Sequence, residues 1–162
     1  MSGVMQRPAT QPADLPRPEE IAGLTGLEIM RAILEGRIAG AAIAGPMGLR
    51  LEAVEEGAVT FAAVPEFAHT NPMGTVHGGW YGTLLDSAMG CAVMTTLPAG
   101  AAYTTLEFKV NLIRGARIGE GVTCRGAVSH AGRSTAVAEG RIEDAAGRLL
   151  ATGTTTCLVM RP

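Results

Sequence analysis

Along YTTLEFKVNLI, the apolar residues Leu106, Phe108, Val110 and Leu112 alternate with Thr105, Glu107, Lys109 and Asn111. A period of two is the signature of a strand with one buried face. The same alternation runs through Leu49, Leu51 and Ala53, and again through Val59, Phe61 and Ala63, on either side of a turn at Glu56-Gly57. Upstream, Ile21, Leu24, Leu27, Ile33 and Leu34 recur at helical spacing, which predicts an amphipathic helix near 24–36 ending before Gly40. HGGWYGTLLDSAMGCAVMTTL has no internal proline and the length of about five helical turns. Its glycines, Gly78, Gly79, Gly82 and Gly90, cost roughly 1 kcal/mol each relative to alanine, so that helix needs tight packing or a close backbone approach. GVTCRGAVSH, STAVAEGRIED and RLLATGTTTCLVM supply the remaining strands, divided by turns at Ala131-Gly132-Arg133 and Ala145-Ala146-Gly147.

The order is therefore a strand pair, one long helix, then four strands. A sheet must bury one face, and the glycine-rich helix is the only long element available to cover it. This predicts an α+β fold of the hotdog shape, an antiparallel sheet of five to six strands wrapped around one long central helix, with an extra N-terminal helix. Residues 1–18 contain Pro8, Pro12, Pro16 and Pro18 and read as a disordered, unpacked tail. Residues 19–162 read as one domain.

Composition narrows the function. Only 17% of the residues are charged against 47% hydrophobic, so part of the surface is expected to be covered by another subunit. The net charge is −2, no basic run is present and base-stacking aromatics are few, which excludes nucleic acid as a partner. Cys91, Cys124 and Cys157 form no Cys-x-x-Cys and read as small buried hydrophobes in a reducing compartment. His69, His77 and His130 lack metal-ligand spacing, so no metal is expected. No signal-peptide core stands at the N-terminus, and the run IAGAAIAG is too short to cross a bilayer. A cytoplasmic protein with no membrane partner is the expectation.

One residue breaks the pattern. Asp86 lies among Leu84, Leu85, Ala88 and Met89, where an unpaired carboxylate is costly to bury. The stretch N-P-x-G-T-V-H-G-G followed by L-L-D closely resembles the PaaI-type hotdog acyl-CoA thioesterases, which place an Asn six residues before the His and an acidic residue nine after it. Here these are Asn71, His77 and Asp86. The resemblance continues through TLEFKVNL, the HAGRSTA turn and the final strand, and covers roughly residues 20–160. It implies hydrolysis of an acyl-CoA thioester without metal or other cofactor, in a dimer or a dimer of dimers.

Thioester hydrolysis needs a polarised carbonyl, an activated water or nucleophile, and a grip on the carrier. Gly78 and Gly79 lie where the long helix begins, and its unpaired N–H groups make them candidate oxyanion donors, Gly78 ahead of Gly79. Asp86 is the candidate general base or nucleophile. Asn71 either orients water or Asp86 or makes an Asn-Pro turn, and His77 either bonds near the thioester or fixes the loop. The resemblance places a water-positioning Ser or Thr at Thr104, with Thr105 one residue away on the other face. Coenzyme A phosphates call for arginine, and Arg114, Arg117 and Arg133 stand at strand ends or turns. Gly132, Arg133 and Ser134 match the turn that meets the nucleotide in that family. Trp80, Tyr81, Met89 and the apolar face of the 24–36 helix are the expected acyl pocket, with dimer-interface packing the competing account of Trp80.

Gly78 and Asp86 are eight residues apart, roughly 12 Å along one helix, whereas reacting groups must approach to about 3 Å. One chain therefore does not assemble the site. Two antiparallel copies of the helix crossing near Gly82 would form a two-fold homodimer with two shared sites. The competing readings are an acyl-CoA-binding sensor, which would need an output module, and a hotdog hydratase. The hydratase pattern has an Asp shortly before a His, and no such pair exists here.

Overall fold

The computed structural model describes residues 6–161. Three short helices come first, α1 (Pro18–Ile21), α2 (Gly26–Leu34) and α3 (Ala44–Met47), then the hairpin β1 (Leu49–Glu55) and β2 (Ala58–Ala63). The central helix α4 (Gly78–Met94) follows, and β3 (Ala102–Leu112), β4 (Val122–Ala131), β5 (Thr135–Asp144) and β6 (Leu149–Met160) complete the chain. The expected helix near 24–36 is trimmed to α2. Thr25 caps it reciprocally with Glu28, and Gly36, at φ 72°, lies just beyond its end.

All six strands join one antiparallel sheet in the order β1-β2-β4-β5-β6-β3. The helix α4 lies on its inner face, with Leu84, Leu85, Ala88, Met89 and Val93 fully buried. A tight approach offsets the glycine penalty in that helix. Gly126, Gly140 and Gly153 stand in register across β4, β5 and β6 and form a trough without side chains under Leu85, Ala88 and Met89. A β-carbon at Gly126 would overlap the Ala88 carbonyl and lie 2.6 Å from the Met89 nitrogen. On the helix side, the Tyr103 ring and hydroxyl fill the space a side chain at Gly90 would need.

The edge strand β3 departs from simple alternation. Thr105 pairs with Cys157 and Glu107 with the adjacent Thr156, so Leu106 is the extra residue of a β-bulge. The bulge shifts the phase. Thr105 faces the helix together with Phe108, Val110 and Leu112, while Leu106, expected on that apolar face, is largely exposed.

Within the expected unpacked tail, Gln6 to Ala9 are docked on the domain while residues 10–18 are largely exposed, and residues 1–5 lie outside the described residues. The Gln6 side-chain amide behaves like an extra peptide on the free edge of β1. It donates to Leu51 O at 2.6 Å and to Leu34 O at 3.2 Å, and accepts from Leu51 N at 3.1 Å. Arg7 to Ala9 then runs beside Gly40 through Ala9 N–Gly40 O (2.9 Å) and Gly40 N–Arg7 O (3.0 Å), with Ala9 buried. Proline content disfavours helices and sheet interiors, but it does not prevent an extended strap from docking on an edge. Among the described residues no helix is long and apolar enough to cross a membrane.

Candidate active site

Asp86 sits on the half-open side of α4, and Thr105 Oγ1 donates to its Oδ1 at 3.0 Å. Thr104, the expected water-positioning residue, is exposed on the outer side of β3. On one side Asp86 borders an apolar cavity of about 410 Å³, lined by Met30 and Ile33 of α2, Leu49 and Leu51 of β1, Phe61 of β2 and Tyr103 of β3. On the other side it borders a shallower groove of about 350 Å³ that runs along α4 past Thr83 and Gly82 to Gly79 and Gly78, with Phe108 and Val110 as the other wall. The carboxylate therefore lies where the cavity and the groove meet.

The strands β1 and β3 are opposite edges of the sheet, yet both line this cavity, because the sheet curls around the helix. Cys91 and Tyr103 share the Asp86 end. Burial first, and the Asp86 charge second, push the Cys91 thiol up to about 12. Burial, followed by neighbouring Cys91, Cys157 and Asp86, also raises the Tyr103 phenol. Both stay protonated near neutral pH.

The helix terminus assigns different tasks to its residues. His77 is the N-cap, and its Nδ1 accepts the Gly79 N–H at 2.9 Å. Gly79 has thus spent its donor within the loop. Gly78, the first helical residue, has no acceptor for its N–H among the described residues. Asn71 is committed to the 71–75 turn. Its Oδ1 accepts from Met73 N (2.9 Å) and Thr75 N (3.3 Å), and its Nδ2 donates to Thr75 Oγ1 (2.9 Å). Within one chain it makes the turn and does not bond Asp86.

Other expectations need correction. Trp80 (2% exposed), Tyr81 (3%) and Met89 (0%) are core residues and do not line the cavity. The Trp80 indole donates to Met47 O, the Tyr81 hydroxyl accepts from Ala116 N, and Met89 lies over Gly140 and Gly153. The apolar face of α2 does line the cavity. Arg133, between Gly132 and Ser134 in the exposed β4–β5 turn, and Arg114, which donates to Leu149 O, stand at opposite ends of the sheet. Seven rungs of ladder separate those ends, roughly 25 Å, so one chain does not present both to one phosphate group. Sequence reasoning missed the strap residues Gln6 to Pro8 on the cavity wall, and no signal beyond a glutamine near prolines marked them. Among the described residues no three His, Cys, Asp or Glu side chains group as metal ligands would.

A curled antiparallel sheet holding one glycine-bedded helix is the hotdog architecture. The family model of the thioesterase superfamily matches residues 73–151, from the turn before α4 into β6. A phenylacetic acid degradation-related protein of Ralstonia eutropha is 31% identical, covering 80% of this chain and 98% of its own, with a TM-score of 0.74. The chain belongs to the thioesterase superfamily. A Streptococcus mutans structure bound to acetyl-CoA is 25% identical over 70% of this chain and 91% of its own, with a TM-score of 0.65. Acyl-coenzyme A thioesterase 13 of Mus musculus is 33% identical over 89 residues, 54% of this chain. The match spans 63% of that curated relative's length.

Proposed function

We propose that the chain hydrolyses acyl-CoA thioesters at a site that two copies complete together. The observation that carries this reading is the position of Asp86 between an apolar cavity and a groove leading to a helix N-terminus too far along the same helix to serve it. The acyl group enters the cavity, and the thioester carbonyl points along the groove. The Gly78 N–H of a second copy donates to the carbonyl oxygen and stabilises the negative charge that develops there. Asp86, held by Thr105, either takes a proton from the attacking water or attacks the carbonyl carbon itself. In both routes the C–S bond breaks and coenzyme A leaves as the thiolate; in the second, water then cleaves the acyl–Asp86 anhydride to release the acid and restore the carboxylate.

Exposed apolar surface supports the second copy. In a lone chain Phe108 is 44% exposed and Leu112 54%, on a strand edge beside the open groove. An uncovered apolar strand edge of this kind pairs readily with another. The acetyl-CoA-bound relative and the acyl-CoA thioesterase relative support the substrate class.

A thiol-release assay across acetyl-, octanoyl-, phenylacetyl- and palmitoyl-CoA tests the reading. Asp86→Asn is expected to lose at least about 10²-fold in kcat. Asp86→Asn and Gly78→Pro chains unfolded together and refolded are expected to recover about a quarter of parental activity. Half of randomly formed dimers are hybrids, and each hybrid holds one intact site of two. A mixture no more active than the sum of its two components refutes the shared site. Saturable binding without thiol release from any substrate refutes hydrolysis and leaves a sensor.

A further inference from the structure

We infer that the N-terminal strap, Gln6 to Ala9, is a specificity element that closes the acyl cavity against long chains. This rests on the thioesterase reading above. The strap belongs to the cavity by position, since Gln6, Arg7 and Pro8 all line it. It sits on the free edge of β1, whereas Asp86 and Thr105 sit by β3, the opposite edge of the sheet. An acyl chain that starts at the carboxylate and crosses the cavity therefore ends against the strap.

The strap is attached by few but specific bonds. Gln6 makes three hydrogen bonds, two of them to Leu51, which itself lines the cavity. The Arg7–Gly40 and Ala9–Gly40 backbone bonds hold the following residues against the segment leading to Ala41 and Ile43, two more lining residues. Among the described residues these hydrogen bonds and the burial of Ala9 hold the strap, so losing the Gln6 amide frees its outer end while the sheet and α4 stay intact.

The cavity sets the length limit. At about 30 Å³ per heavy atom, the volume share of a water molecule in the liquid, 410 Å³ holds on the order of a dozen heavy atoms. Octanoyl and phenylacetyl groups fit within it, and palmitoyl does not. Met30, Ile33, Leu49 and Phe61 make much of its wall apolar, while Arg7 of the strap and Arg50 of β1 also line it. The substrate class is an acyl group of medium chain or single-ring size.

The test compares kcat/KM for palmitoyl- and octanoyl-CoA in the full chain, in Gln6→Ala and in a variant lacking residues 1–9. The parent is expected to prefer octanoyl. Both variants are expected to raise the palmitoyl-to-octanoyl ratio by about tenfold or more, the low end of what one methylene is worth in an apolar pocket. Ala44→Leu, which fills the same cavity with the strap in place, is expected to lower the octanoyl-to-acetyl ratio. A parent that turns over acyl-CoA with the same length profile in both strap variants overturns this inference and leaves hydrolysis standing. A parent inactive on every acyl-CoA overturns the underlying reading instead. Circular dichroism of the variants separates the remaining outcome: loss of the fold in both would assign the strap to folding and overturn its role in specificity.

Discussion

Gly78→Pro removes one hydrogen-bond donor and little else. Gly78 is the first residue of α4, where a proline is preferred because its missing N–H is an orphan of the helix in any case. The preceding residue must be extended to accept a proline, and His77 already is, at φ −67° and ψ 139°. A β-carbon at Gly78 meets only the Leu112 Cδ1 methyl, at 3.2 Å, the mobile end of an exposed side chain. The fold should therefore lose nothing, and restricting the unfolded chain should add about 0.4–1 kcal/mol. Catalysis should suffer, because loss of one oxyanion donor costs about 10²–10³ in kcat, or about 2.7–4 kcal/mol. The bond strengthens as charge develops on the carbonyl oxygen, so kcat should fall with KM nearly unchanged. Thiol-release kinetics give kcat and KM, and calorimetry gives the melting temperature. A folded Gly78→Pro with kcat within about threefold of the parent would show that this N–H does not face the reacting carbonyl.

Three further outcomes follow from particular contacts. Thr105→Val should lower kcat by about tenfold through loss of the hydroxyl on Asp86, at the low end of a hydrogen bond to a charged group. Thr104→Val, on the outer face, should match the parent in the same assay. Gly126→Ala should cost at least about 3 kcal/mol in urea unfolding, because the added carbon meets helix backbone that no rotamer change can move. Gly153→Ala, whose added carbon would lie 3.2 Å from the Lys109 carbonyl oxygen and 3.3 Å from the side-chain ends of Leu85 and Met89, with no contact under 3.0 Å, should lose less than Gly126→Ala, about 1 kcal/mol; equal damage from both would dismiss the trough. The Thr10 backbone and hydroxyl hold Asp14 at about 2, below its ordinary 3.8, and the Thr25 and Arg148 backbones likewise lower Glu28 and Asp144. A carboxylate lowered in the folded state adds stability above its unfolded value and loses it as pH falls through the folded one. The melting temperature should therefore drop between about pH 4 and pH 2, and Asp14→Asn should flatten that slope.

Most of the architecture was legible because several strands and α2 carried their own period and turns divided the rest. Alternation marked the strands, and a proline-free run too long for a strand marked α4. The site was legible where a charge violated its surroundings, as Asp86 does among Leu84, Leu85 and Met89. The misses share a physical cause, which is that they depend on contacts between distant segments. Four apolar residues from Leu106 to Leu112 look like one uninterrupted face, and only pairing with β6 reveals the extra residue that brings Thr105 onto the helix side. The helix α4 is apolar nearly all round, so its sequence does not say which side meets the sheet, and Trp80, Tyr81 and Met89 prove to face the core. A glutamine amide bonding to a strand edge 45 residues away leaves no local trace.

The bulge at Leu106 makes this strand respond unequally to gain and loss of a residue. A descendant lacking Leu106 would keep Thr105 and Phe108 facing the helix, two rungs apart with Glu107 between them, and would lose only the local bend. A descendant with one residue more beside it, and no second bulge, would turn Phe108, Val110 and Leu112 to water and deliver Lys109 to the helix. Along this edge, shortening is survivable and lengthening is ruinous, so evolutionary drift in its length should run in one direction only.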